Sequence, residues 1–121
     1  MKYDDLLNIP YKAHGRDRNG FDCYGVVIEC CRRAGTPLKD PYYESDTVPI
    51  NETADYIAQG LNVREISCGR VGALALMEYG GRVHIGSIVD RGLVLHATYN
   101  HGVKVSPLAA VNVKKFYEVV N

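Results

Sequence analysis

The thiols and imidazoles of this 121-residue chain are Cys23, Cys30, Cys31 and Cys68, and His14, His84, His96 and His101. No C-x-x-C pair is present, and the Cys and His spacings fit no zinc template. A metal is therefore not expected. Cys30 and Cys31 are adjacent and Cys68 stands alone, which argues against a disulfide framework. All four are expected to be reduced thiols in a reducing compartment. The chemistry left open is that of a thiol activated by an imidazole, which needs no cofactor.

Cys23 is the thiol placed for it. Residues 20–35 read G-F-D-C-Y-G-V-V-I-E-C-C-R-R-A-G. Asn19-Gly20 is a turn signal and Asp22 a good N-cap. From Cys23, apolar residues recur at Val26, Val27, Cys30, Cys31 and Ala34, the buried stripe of an amphipathic helix. Glu29, Arg32 and Arg33 fall on the other side, and Gly35 stands at the stop. Cys23 thus occupies a helix's first turn, where unsatisfied N–H groups and a partial positive charge favour the thiolate. That effect is about 0.3–1 kcal/mol, under one pKa unit, so an imidazolium must supply the rest.

The elements that carry the imidazoles follow from the periodicity. Residues 4–9 predict a short helix ended by Pro10, and residues 11–19 a polar loop. After the central helix, residues 36–49 form a long irregular passage rich in proline and tyrosine. The stretch from Pro37 to Pro49 is long enough for a functional loop. Residues 51–60 read as a helix capped by Asn51 and stopped by Gly60. Beyond Leu61 the period shortens to that of strands, at Leu74 to Tyr79, Arg82 to Val89 and Leu93 to Thr98. Gly80-Gly81 and Asp90-Arg91-Gly92 supply the hairpin turns. Val103 to Ser106 and Lys115 to Val120 complete the sheet. Helices first and an antiparallel meander after make an α+β domain spanning residues 1–121.

Strand alternation puts His84 on one face with Gly86 and Ile88, and His96 on one face with Val94. Neighbouring strands set the two rings side by side, and the amphipathic helix is expected to pack on that face. Cys23, His84 and His96 then form nucleophile, base and orienter. His14 and His101 fall in polar loops and are expected to be solvated. Composition narrows the partners. Fourteen basic residues balance fourteen acidic ones, which speaks against nucleic acid or an anionic membrane surface. No apolar run spans a membrane, and acids stand where a signal peptide has its apolar core. Synthesis in the cytoplasm without a secretory signal is expected.

The stretch Y-K-A-H-G-R-D-R-N-G-F-D-C-Y-G-V-V, followed by H-I-G-S-I-V-D-R-G-L-V-L-H-A, resembles the NlpC family of papain-like cell-wall peptidases. The D-C-x-G-[FLV]-V motif falls on Asp22 to Val27, the H-[VI]-G motif on His84 to Gly86, and the h-x-H-A strand on Leu93 to Ala97. The resemblance implies a papain-like core, Cys23 as nucleophile, His84 as base and His96 as the third polar residue. It implies Tyr11, with the Cys23 backbone N–H, at the oxyanion, and Asp22 and Tyr24 against substrate. Asp22 has capping the helix as its other reading. The implied substrate is a peptidoglycan stem peptide, typically cut between γ-D-glutamate and diaminopimelate or lysine. Two departures stand out: Tyr24 replaces the usual serine, and Gly72-Ala73 replaces the usual Gly-Asp. The bulky Tyr24, the tyrosine-rich loop and the missing leader resemble family members carried by phages and prophages, which implies phage tail proteins as partners. Two alternatives remain at this point: a tail assembly protein with little catalysis, and another thiol amidase or acyltransferase.

Overall fold

The computed structural model describes residues 1–40 and 61–120. The helix expected at 51–60 and most of the Pro37 to Pro49 loop lie outside the described residues.

Helix α1 runs Cys23–Arg33. Asp22 is extended (φ −90°, ψ −175°), and its carboxylate accepts a 2.8 Å hydrogen bond from the Gly25 N–H, satisfying one donor of the open first turn. At the other end Gly35 takes a left-handed φ of 76°. The N–H groups of Gly35 and Thr36 then reach back to the carbonyls of Arg32 and Cys31, a Schellman closure. Val26, Val27, Cys30 and Cys31 are buried, while Glu29 pairs outside with Arg32 and Arg33.

Six antiparallel strands form the main sheet: β3 (Val63–Ile66), β4 (Leu74–Tyr79), β5 (Arg82–Asp90), β6 (Leu93–Thr98), β7 (Gly102–Pro107) and β8 (Asn112–Val119), in the order β3-β8-β4-β5-β6-β7. β4 to β7 are the expected meander. β8 begins three residues before Lys115 and, instead of closing an edge, lies between β3 and β4. β3 was not expected: V-R-E-I is short, with charge at both central positions, and among the described residues it pairs only with β8.

The expected helix at 4–9 is a single 3-10 turn over Asp4–Leu6. The backbone beyond it has another use. Asn8 N–H bonds to Val103 O and Val103 N–H bonds to Ile9 O, both at 2.9 Å, so this segment runs along β7. The polar loop holds a small hairpin, β1 (Arg16–Asp17) and β2 (Gly20–Phe21), which leads into Asp22.

Gly25 lets this hairpin close on the helix. A Cβ there would lie 2.0 Å from the Gly15 carbonyl oxygen and 3.1 Å from the Phe21 ring. Alanine favours a helix over glycine by about 1 kcal/mol. Gly25→Ala is nevertheless expected to destabilise the protein by about 2–3 kcal/mol, because backbone must move. Urea unfolding checks the sign, and a stabilised variant would contradict the packing.

The sheet face under α1 differs from the one expected. Val26, Val27, Cys30 and Cys31 join Leu74, Leu76, Ile85, Leu95 and Ala97 in one core cluster. Ala75, Met77 and Val94 form a second cluster with Leu108, Val111, Val113 and Phe116. His84 sits opposite Met77 in the β4–β5 register, and His96 alternates with Leu95 and Ala97. Both histidines therefore belong to the second face, away from the helix. Each face of β5 and β6 carries apolar residues, and the larger continuous set, Ile85 with Leu95 and Ala97, takes the helix.

Candidate active site

The two imidazoles do meet. His84 Nε2 lies 2.8 Å from His96 Nδ1, and their rings are edge to face with centroids 5.0 Å apart. His96 Nε2 continues to Ser106 Oγ at 2.8 Å. All three residues are buried, His96 fully. Strand register builds the chain: Ser106 opposes Val94 and Lys104 opposes His96, so all project on the histidine face. Sequence reasoning missed Ser106. A small polar residue at a strand end is an ordinary exposed position until the pairing with β6 is known.

The hydrogen-bond directions follow from the chemistry. If His84 is to take a proton at Nδ1, its Nε2 carries hydrogen and donates to His96 Nδ1. His96 then holds its own hydrogen on Nε2 and donates to Ser106 Oγ. One tautomer of each ring satisfies every bond, leaving His84 Nδ1 as the basic atom. Burial pushes His84 down to about 3, helped by the neighbouring His96 and by Lys104. Burial and Lys104 push His96 down to about 4. Both rings rest neutral, with no carboxylate of the described residues hydrogen-bonded to either. The preformed imidazolium required for a resting thiolate is therefore disfavoured, and a neutral general base is the form these surroundings support.

Cys23 is half-buried in the first turn of α1, and α1 packs on β5 and β6. The helix points its start toward the histidine end of the sheet. Its C-terminal half, with Cys30 and Cys31, shares a groove with Ser87 and Ile88 farther down β5. Tyr11, bridged to Phe21, stacks on Tyr99 in the β6–β7 turn at 4.2 Å between centroids. The start of α1, Tyr11 and the turns after β4 and β6 thus gather at one end of the sheet. His84 and His96 each stand two residues from their strand's end there.

Asp22 takes the capping role. Oδ1 accepts from Gly25 N–H and, at 2.7 Å, from the Arg16 guanidinium, while Oδ2 accepts from His14 N–H at 3.2 Å. The residue is 1% exposed. By pairing with Asp22, Arg16 offsets a carboxylate that stands next to Cys23 in sequence, and it also pairs with Asp40. This second missed residue sits in a charge run, R-D-R, that reads as a solvated loop. Tyr24 is buried in the main core cluster. His14 and His101 are exposed. Among the described residues no group of three or more His, Cys, Asp or Glu side chains could hold a metal ion.

The remaining thiols divide by burial, and none is in a disulfide. Desolvation pushes Cys30 up to about 12 and Cys31 up to about 11, while Cys68 is exposed. In a Cys68→Ser background, iodoacetamide near neutral pH is expected to label Cys23 and spare Cys30 and Cys31. Peptide mass spectrometry checks this, and comparable labelling of the two buried thiols would contradict it.

The NlpC/P60 family model matches residues 8–121. The chain belongs to the NlpC/P60 family. Membership supports a cell-wall cysteine peptidase. The crystal structure of the NlpC/p60 domain of the peptidoglycan hydrolase SagA is similar, with a TM-score of 0.63 at 19% identity, covering 96% of this chain and 91% of that one. At that identity the likeness speaks for the fold: among the described residues, one α-helix on a six-stranded antiparallel sheet, the papain-like α+β arrangement. No curated protein matches the chain. The two histidines joined at 2.8 Å in this NlpC/P60 domain lie in its H-I-G and L-V-L-H-A stretches.

Proposed function

We propose that this NlpC/P60 domain hydrolyses a peptide bond in peptidoglycan stem peptides, typically that joining γ-D-glutamate to diaminopimelate or lysine. The observation that carries the reading is the buried His84–His96–Ser106 chain, which leaves one basic nitrogen at the end of the sheet where α1 begins. Cys23 is the nucleophile. As its sulfur attacks the carbonyl, the thiol proton passes to His84 Nδ1. The negative sulfur and oxyanion raise the proton affinity of a ring that burial otherwise keeps neutral. The backbone N–H of Cys23 and the Tyr11 hydroxyl hold the oxyanion. His84 returns the proton to the leaving amine, giving a thioester. It then takes a proton from water, which attacks the thioester and regenerates the thiol. Throughout, His96 keeps the His84 ring in one tautomer and angle.

The same reading places the protein with a phage or prophage tail, made in the cytoplasm and incorporated there. Its support is Tyr24 after the nucleophile and the tyrosine-rich passage after α1. The test is digestion of isolated walls of diaminopimelate and lysine type by purified protein, with mass spectrometry of the fragments. New amino termini at diaminopimelate or lysine are expected. Cleavage at another bond would identify a different thiol amidase, and intact walls would leave an assembly protein.

A further inference from the structure

The rim of the histidine face carries a second group of side chains. Tyr79 and Arg82 are directly opposed across the β4–β5 turn, on the same face as His84. The Tyr79 ring lies 5.3 Å from His84 and 5.9 Å from His96. Arg82 places its guanidinium 4.9 Å from the centre of the Tyr99 ring, which stacks on Tyr11. Of the four large apolar side chains exposed among the described residues, the two aromatic ones, Tyr79 and Tyr99, are both here.

The charge here is one-sided. Six of the eight arginines pair with carboxylates: Arg16, Arg18, Arg32, Arg33, Arg64 and Arg70. Arg82 is exposed and Lys104, which opposes His96 on this face, is half-buried; neither has a carboxylate partner among the described residues. Among the described residues, Arg82 and Lys104 thus put two positive charges on the histidine face. A guanidinium resting over a tyrosine ring keeps its N–H donors available, and such a fork can grip a carboxylate with two hydrogen bonds.

We propose that Tyr79, Arg82 and Tyr99 form a subsite for a free carboxylate of the bound peptide, next to the scissile bond, with Lys104 adding to the attraction. This rests on the stem-peptide reading above, where a γ-linked D-glutamate leaves its α-carboxylate free. The subsite makes the enzyme selective for the carboxylate over the α-amide of the same peptide.

Two synthetic stem peptides identical except for carboxylate or carboxamide at that position test it, by calorimetric binding to the Cys23→Ala variant. The carboxylate peptide is expected to bind about tenfold tighter at low salt, and Arg82→Gln to abolish the difference. Arg82→Lys is expected to retain part of it, and thermal melts of both variants to match the parent because the side chain is exposed. Equal binding of the two peptides, or a preference that survives Arg82→Gln, overturns the subsite. Binding with the preference but no cleavage by the wild-type protein would overturn the hydrolase reading and leave the subsite standing.

Discussion

Cys23→Ala is expected to lower stem-peptide hydrolysis by about 10⁴-fold or more while leaving the fold intact. The size follows from what is removed: without sulfur no thioester forms, and only oxyanion contacts and substrate binding remain. The fold survives because Asp22, not Cys23, caps the helix, and the helix is anchored by Val26, Val27, Cys30 and Cys31 farther along. Alanine is a better helix former than cysteine, so unfolding in urea should shift little. Cys23→Ser should be nearly as inactive. A buried neutral imidazole is a poor base for an alcohol, whose proton is held far more tightly than a thiol's. Turnover of either variant within tenfold of wild type would remove Cys23 from the reaction.

Much of this architecture is legible in the residues because local rules agree with tertiary structure. The cap at Asp22, the stop at Gly35 and the Gly80-Gly81 turn each have a single low-energy use, and the structure employs each in that way. What was not legible depends on partners far away in the chain. Nothing in V-R-E-I says that Glu118 and its neighbours in β8 will pair with it. The side of β5 that takes the helix was hidden by apolar residues on both faces, with Ile85 and Ile88 of opposite parity. That matters for the site. The rings are presented from the face opposite α1, so the proposed reaction needs thiol and base to meet around the end of the sheet rather than across the helix–sheet interface. Tyr11, Tyr99 and Arg82 gather at that end, where the reading from spacing placed only a packed helix face.

Replacements along His84, His96 and Ser106 should weaken catalysis in descending order. His84→Gln removes the base and is expected to cost about 10³-fold in kcat/KM. His96→Gln keeps a polar side chain but frees the base to rotate, at an expected cost of about 10–100-fold in kcat. Ser106→Ala deletes a neutral hydrogen bond two steps from the sulfur, and a loss of about 2–10-fold is expected. The pH profile separates positioning from mere packing. Because burial, His96 and Lys104 push His84 well below the ordinary imidazole value, the acid limb of kcat/KM should lie below pH 6.5. Lys104→Gln removes one of those positive neighbours and should move the limb upward. Stability carries the same signature with the sign fixed by linkage. Each ring binds its proton more weakly when folded than when unfolded, so neither penalises folding above about pH 6.5. Between there and about pH 4 the unfolded chain takes protons that the native rings refuse, and stability falls as the pH falls. His84→Gln should make that decline shallower between pH 6.5 and 5 in urea titrations. An unchanged slope, or equal losses of activity along the three positions, would mean that the chain packs the sheet without poising a base.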